Sequence, residues 1–234
     1  MQLFKGHKLN NIIQISEPEE VHHCIKVTRH RLGDEVLVSE FKGIIWKGQI
    51  TKIESNLVEV EILSELIKER QSADLCIAIS LTQQSDRFEW FLEKATEAGV
   101  SKIIPLICSR TESKKNRQDR WLKIIYTSAK QCLRPSLPQL IEILSFKDLL
   151  KTSLTDQRYI CHCEDQNIPF LGKIYDPKQD VIILIGPEGD FTMEEIQQAK
   201  ELGFKETNLG SDRLRVETAG VAACIITQTV KNLQ

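Results

Sequence analysis

At 234 residues the chain is longer than one average domain and short for two large ones, which suits one domain with a small appendage and leaves room for a real core. A formal charge of -2 excludes a global pull toward polyanions, so any nucleic-acid contact has to come from local patches. No run approaches the roughly 20 apolar residues of a membrane helix, and Met1-Gln2-Leu3-Phe4-Lys5 opens no signal-peptide core, so the expectation is a soluble, cytoplasmic protein. Seven cysteines, an odd number scattered through apolar segments, suit reduced buried thiols better than a disulfide framework.

In chain order, residues 1–70 carry short β-like runs at 35–39, 43–52 and 57–63, with Gly33-Asp34 and Lys42-Gly43 supplying turn chemistry. A small β-barrel or sandwich is the expected product. From Ala73 the pattern changes to strand 75–81, helix 88–98 closed by Gly99, strand 102–108 and helix 120–133. Further strands are predicted at 140–144, 159–163, 181–185 and 205–209, and helices at 146–150, 192–202 and 219–230. Continuous apolar strands alternating with helices predict an α/β domain over 71–234, its mostly parallel sheet covered on both faces.

Two turns of the same construction stand out. The apolar run 181–185 empties into Gly186, Pro187, Glu188, Gly189 and Asp190 before a helix that opens on the capping-box pair Thr192 and Glu195. Later Thr207, Asn208 and Leu209 reach Gly210, then 211–215, Glu217 and Thr218, and a helix with Ala219, Ala222, Ala223 and Ile226 on one face follows; Thr218 is the expected N-cap. A glycine pair alone is as well read as a plain strand-to-helix turn. Its repetition points to ligand-binding turns at the edge of an open sheet. The first strand of the domain runs into Thr82 to Arg87 without a glycine, and no Gly-Lys-Ser or Gly-Lys-Thr occurs, which disfavours dinucleotide and triphosphate sites.

Ile185-Gly186-Pro187-Glu188-Gly189 together with Leu209-Gly210-x-x-x-Leu214-Arg215-x-Glu217-Thr218-Ala219 resembles the signature of the ribosomal RNA small subunit methyltransferase E family, of the SPOUT class. The resemblance spans nearly the whole chain. His23-x-x-x-Val27-x-Arg29 with Gly33-Asp34 is similar to the family's front motif, and Lys94-Ala95-Thr96-Glu97-x-Gly99-Val100, Pro105, Arg110, Gln131-x-x-Arg134-Pro135 and Pro138 are similar to its middle. The chain departs at Asp190, where the family usually has a second glycine, at Arg213, where an aliphatic residue is common, and at Val216, usually small and polar. The resemblance implies a PUA-like β-barrel over 1–70 that binds RNA, a methyltransferase domain over 71–234 ending in a trefoil knot, and a homodimer. It also implies methyl transfer from S-adenosylmethionine to N3 of one uridine in 16S ribosomal RNA of the assembled small subunit.

That chemistry makes its own demands. In-line transfer from a sulfonium needs donor and acceptor held close and aligned. Uracil N3 must lose a proton while charge spreads onto neighbouring oxygens. Arg215 is the expected guanidinium for that charge or the adjacent phosphate, its plain alternative being a structural ion pair. Glu217 and Glu188 are candidate proton acceptors. For Glu217 a helix-dipole role is the slightly better reading, and solvent or the RNA itself remains open as the base. The expected cofactor set is Cys163, Ile185, Gly186, Pro187, Glu188, Gly189, Leu209, Gly210, Leu214 and Thr218, with Glu164 beside Cys163.

Candidate RNA contacts are His23, Arg29, His30, Arg31 and Arg134, and Arg110, Lys114, Lys115, Arg117 and Arg120; a solvated charged loop is the ordinary alternative for 114–120. Cys161-His162-Cys163-Glu164 invites a zinc reading, but alternate residues of a strand point to opposite faces, so no metal is expected. Two rival functions remain: a non-catalytic RNA-binding module with an α/β dimerisation platform, and an enzyme with another nucleotide-like cofactor.

Overall fold

The computed structural model describes residues 2–69, 72–152, 155–163 and 167–233. They form two compact units, one from Met1–Gln71 with Tyr126–Leu137, the other from Ser72–Ile125 with Pro138–Gln234. No helix among the described residues is long and apolar enough to cross a membrane.

The first unit is a curled six-stranded sheet in the order β1-β4-β5-β6-β3-β2, built from β1 (Leu3–Lys5), β2 (His7–Leu9), β3 (Ile12–Ile15), β4 (Glu35–Ser39), β5 (Ile44–Ile53) and β6 (Val58–Lys68). Three register shifts between β5 and β6 bend the long hairpin, as bulges do. Alternation along the strands makes two apolar faces. Phe4, Val36, Val38, Ile50, Val58 and Val60 face one core, into which α1 (Pro18–His22) and the following π-helical turn His23–Val27 send Val21 and Cys24. Leu3, Leu37 and Ile45 face the other, closed by Ala129, Tyr126 and Leu133. Buried Glu20 accepts from Lys130 Nζ at 2.6 Å and from the Lys5 amide at 2.9 Å, which ties residues 126–137 to this unit. β1 to β3 and α1, at three to five residues each, are too short for periodicity to register, so the sequence reading passes over them.

The second unit is an entirely parallel sheet in the order β10-β8-β7-β12-β11-β13, with β9 also on β8. Its strands are β7 (Leu75–Ser80), β8 (Lys102–Ile107), β9 (Gln139–Leu140), β10 (Leu144–Ser145), β11 (Gln157–Cys161), β12 (Val181–Ile185) and β13 (Lys205–Thr207). Every residue of β7 and β12 is buried, as expected of strands covered on both faces. Leu75, Ile77 and Ile79 meet α2 (Ser85–Glu97), the start of α3 (Gln118–Gln131) and α7 (Val216–Asn232); Cys76 and Ala78 meet α4 (Phe146–Leu149) and α6 (Met193–Glu201). α7 crosses α2 and β7 closely, and Gly220 is the reason it can: a Cβ there would lie 2.5 Å from Phe91 and 2.8 Å from Ile79.

Several boundaries differ from the sequence reading. The strand expected at 140–144 is two short bridges, β9 and β10, and those at 159–163 and 205–209 end two residues early, at Cys161 and Thr207. The last helix starts at Val216, not after Thr218. Arg215 is the N-cap, extended at φ -69° and ψ 156°, and its carbonyl already accepts the Ala219 amide at 2.8 Å. No side chain caps this helix, so the hydroxyl of Thr218, inside the first turn, is a misleading signal.

Candidate active site

The carboxyl ends of β11, β12 and β13 open into a cleft of about 580 Å³. It is lined by Cys161, His162 and Cys163 after β11, by 185–190 after β12, by 208–210 and 212–216 after β13, and by Arg87 and Ala219. The parallel order β12-β11-β13 places these turns side by side, the position where open α/β sheets take ligands.

The turn after β12 is braced in four ways. Its own backbone closes through the Asp190 amide to the Pro187 carbonyl at 2.9 Å. Glu188 Oε1 accepts the Gln83 amide at 2.9 Å, holding the turn to the loop after β7. Arg110 donates from Nη1 to the carbonyls of Gly189 and Phe191, and a Cβ on Gly189 would meet Arg110 Cδ at 3.3 Å. Asp190 stands at φ +63°, with Oδ1 accepting from the Phe191 amide at 2.8 Å and Oδ2 from the Cys163 amide at 2.9 Å. The capping box is present as read: Thr192 Oγ1 accepts from the Glu195 amide at 3.2 Å, and Glu195 Oε2 from the Thr192 amide at 2.9 Å. Glu195 is buried, and its Oε1 also accepts from the amide and hydroxyl of Ser109 at 2.8 and 3.0 Å.

The turn after β13 is different. Asn208 anchors its base, donating from Nδ2 to Ile168 and accepting the Gly210 amide at 3.2 Å. Gly210 has φ +143°, a conformation only glycine adopts freely, and a Cβ on it would meet nothing within 4 Å. Residues 210–215 are all exposed. Among the described residues, Arg215 has no ion-pair partner, so the structural-pair alternative has no counterpart here. Glu217, 8% exposed, faces Arg87 Nε at 4.0 Å in the first turn of α7.

Of the expected site residues, Cys163, Ile185, Gly186, Pro187, Glu188, Gly189, Leu209, Gly210, Leu214 and Arg215 line the cleft together. Glu217 and Thr218 are not among its lining, and Glu164 lies outside the described residues. Arg87, His162, Asn208 and Arg213 line it without having been selected from sequence as site residues. His162 and Asn208 each follow the last residue of a strand, so the carboxyl-edge rule would have found them once strand ends were known. Arg87 stands in the first turn of α2, at the end of the glycine-free stretch after β7.

Among the described residues no group of three potential metal ligands converges. Burial, with Asp190's charge as a lesser cause, pushes the Cys161 thiol up, and His162 Nε2 turns to Glu206 at 3.2 Å.

The expected RNA residues fall in both units. In the first unit Arg29, at φ +57°, and Arg31 are exposed, while His23 and Arg134 are half-buried, His23 against Gln2 and the Phe4 ring. In the second unit Lys114 and Lys115 are exposed; Arg117 and Arg120 converge on Glu89 at 3.6 and 2.7 Å, and Arg110 braces the glycine turn.

Residues 68–228 match the sequence pattern of the RNA methyltransferase domain, and residues 15–63 that of the RNA methyltransferase PUA domain. Ribosomal RNA small subunit methyltransferase E of Bacillus subtilis is 27% identical over 218 residues, 88% of this chain and 85% of the relative. A probable rRNA methyltransferase of Porphyromonas gingivalis superposes with a TM-score of 0.89 at 28% identity, covering 100% of this chain and 99% of that one. The Neisseria gonorrhoeae ribosomal RNA small subunit methyltransferase E, solved bound to S-adenosyl methionine, superposes at 0.87 with 28% identity and 98% coverage of both chains. Cleft, fold and likeness agree: this chain belongs to the RNA methyltransferase domain family, with a PUA-like unit at its front.

Proposed function

We propose that this chain is a cytoplasmic, homodimeric methyltransferase that methylates N3 of one uridine in 16S ribosomal RNA within the small ribosomal subunit, using S-adenosylmethionine. The carrying observation is the cleft itself: two glycine turns at the carboxyl edge of a parallel sheet, with the guanidinium-bearing Arg215 exposed on its lining. Its volume falls within the roughly 300–1,000 Å³ usual for small-ligand sites. The open space beside Gly210, with Ile185, Gly186 and Leu209 on the same lining, supports an adenosine-sized group there. The trefoil knot is assigned to the final segment, a reading supported by α7 returning from edge strand β13 to pack on β7 and α2.

S-adenosylmethionine, when bound, supplies a methyl group activated by a sulfonium. The chain's own work is alignment and charge. The turns at 185–190 and 208–214 hold the donor. Arg215 offers a fixed fork of donors to the uracil oxygens or the neighbouring phosphate as N3 loses its proton. Glu188 and Glu217 are assigned to anchoring, because their carboxylates already serve the Gln83 amide and Arg87. That leaves water or the RNA to take the proton. Phosphate contacts are assigned to Arg29 and Arg31 in the first unit and to Lys114 and Lys115 in the second.

The test is to incubate purified protein and methyl-labelled S-adenosylmethionine with small subunits from a strain lacking the protein, then map the label by mass spectrometry. One labelled uridine N3 is expected. Label on another atom or base would refute the assignment, and donor-free behaviour in calorimetry would favour the RNA-binding module.

A further inference from the structure

We propose that Asp190 is a positioning residue that locks the donor cleft into its binding shape before the donor arrives. The inference rests on the reading of the cleft as the S-adenosylmethionine site and goes beyond it, since it concerns the one position in the first turn where this chain departs from the family pattern.

Three observations converge on this side chain. The backbone of residue 190 is left-handed, at φ +63°, a conformation that glycine takes freely and that aspartate takes at modest cost because its short carboxylate can bond locally. That local bond is present, Oδ1 accepting the Phe191 amide at 2.8 Å. The second oxygen reaches outside the turn and accepts the Cys163 amide, 27 residues earlier in the chain, at 2.9 Å. Asp190 and Cys163 line the same cleft, with Gly189 and His162 beside them.

A glycine here would shape the turn equally well and join nothing. The carboxylate instead forms a two-sided bridge, one charged acceptor shared by the turns after β11 and β12, which a sheet hydrogen bond cannot provide because both strands have already ended at Cys161 and Ile185. Bonds from amides to an ionised carboxylate are stronger than neutral ones. Holding both walls in register before binding removes an ordering cost that the donor's own contacts would otherwise have to offset.

The test uses the full chain and three readouts: calorimetric affinity for S-adenosylmethionine and for S-adenosylhomocysteine, kcat on small subunits at saturating donor, and the unfolding midpoint of the free protein. Asp190→Gly keeps the left-handed backbone and removes the link to the Cys163 amide together with the local bond to the Phe191 amide. Its expected effect is about a tenfold loss of affinity for both probes, from one lost charge-assisted hydrogen bond between the turns. kcat at saturating donor should stay within about twofold, because the lost ordering is restored once donor is bound. Asp190→Asn keeps the left-handed residue and one acceptor oxygen, so it should fall between wild type and Asp190→Gly; it also serves if the glycine variant folds poorly. Wild-type affinity in both variants would overturn the bridge while leaving the site reading intact. A fall in kcat with affinity unchanged would likewise overturn it. A wild-type protein that binds neither probe overturns both together.

Discussion

The two turns that line the cleft look alike in sequence and are built in opposite ways. The first is held by side chains from several directions: Glu188 to the loop after β7, Arg110 to its carbonyls, Asp190 to the end of β11 and Glu195 to Ser109. Among the described residues, the second is fastened at its base by Asn208. Beyond it, among the described residues, 211–214 make no side-chain hydrogen bond or ion pair, and the helix that follows has no side-chain cap. A braced turn and an open one face the same cleft; in the proposed reading the first is a preformed wall, and the second carries the exposed guanidinium and leaves room for a substrate to settle.

The sharpest way to break this division is Arg215→Ala. If the open turn acts on the reacting groups, turnover should fall about 100- to 1,000-fold, as when one oxyanion donor is removed. Donor affinity by calorimetry should be nearly unchanged, and an equal loss of both would move Arg215 into the donor-binding wall. Glu195→Ala attacks the braced turn instead. It strips the capping box and leaves two part-buried amides and a hydroxyl without their acceptor, for an expected loss of about 1–2 kcal/mol in urea unfolding. A loss below about 0.5 kcal/mol would show that the bracing is superficial. Gly210→Ala probes backbone shape in the open turn, where space is free but φ is unfavourable; about 1 kcal/mol of stability should go, with no cavity or clash to add to it. The smallest effect on the cleft is expected from replacing Lys114, Lys115 and Arg117 by alanine together. Both turns should keep their donor affinity while the logarithmic salt slope of RNA binding drops by about two, Arg117 adding little because Glu89 already holds it. An unchanged slope would return these residues to plain surface.

Much of this architecture was legible beforehand where a signal was long or local. The buried runs in β7 and β12 announced a covered parallel sheet, and Thr192 with Glu195 announced the start of α6, because burial on two faces and a capping box leave marks in adjacent residues. Thr218 shows the limit of local reading: its hydroxyl suggested a cap, yet the helix begins one residue after Arg215 and uses no side-chain cap at all. Arg110 shows the same limit at longer range. Read along the chain it is another cation near a basic stretch, and in space it is a brace on Gly189.

By itself the chain's order of residues settled the longer elements, the two glycine turns and the character of their neighbours, since propensity, periodicity and turn chemistry act over a few residues. Tertiary structure alone decided which side chains meet. Arg87 with Glu217, Glu188 with the Gln83 amide and Asp190 with the Cys163 amide are pairs 27 to 130 positions apart that become neighbours only when β12 inserts between β7 and β11 and α7 folds back across the sheet. Hydrogen bonds and ion pairs act over a few ångströms of space whatever the separation along the chain, so strand order, which no local pattern encodes, chose the partners.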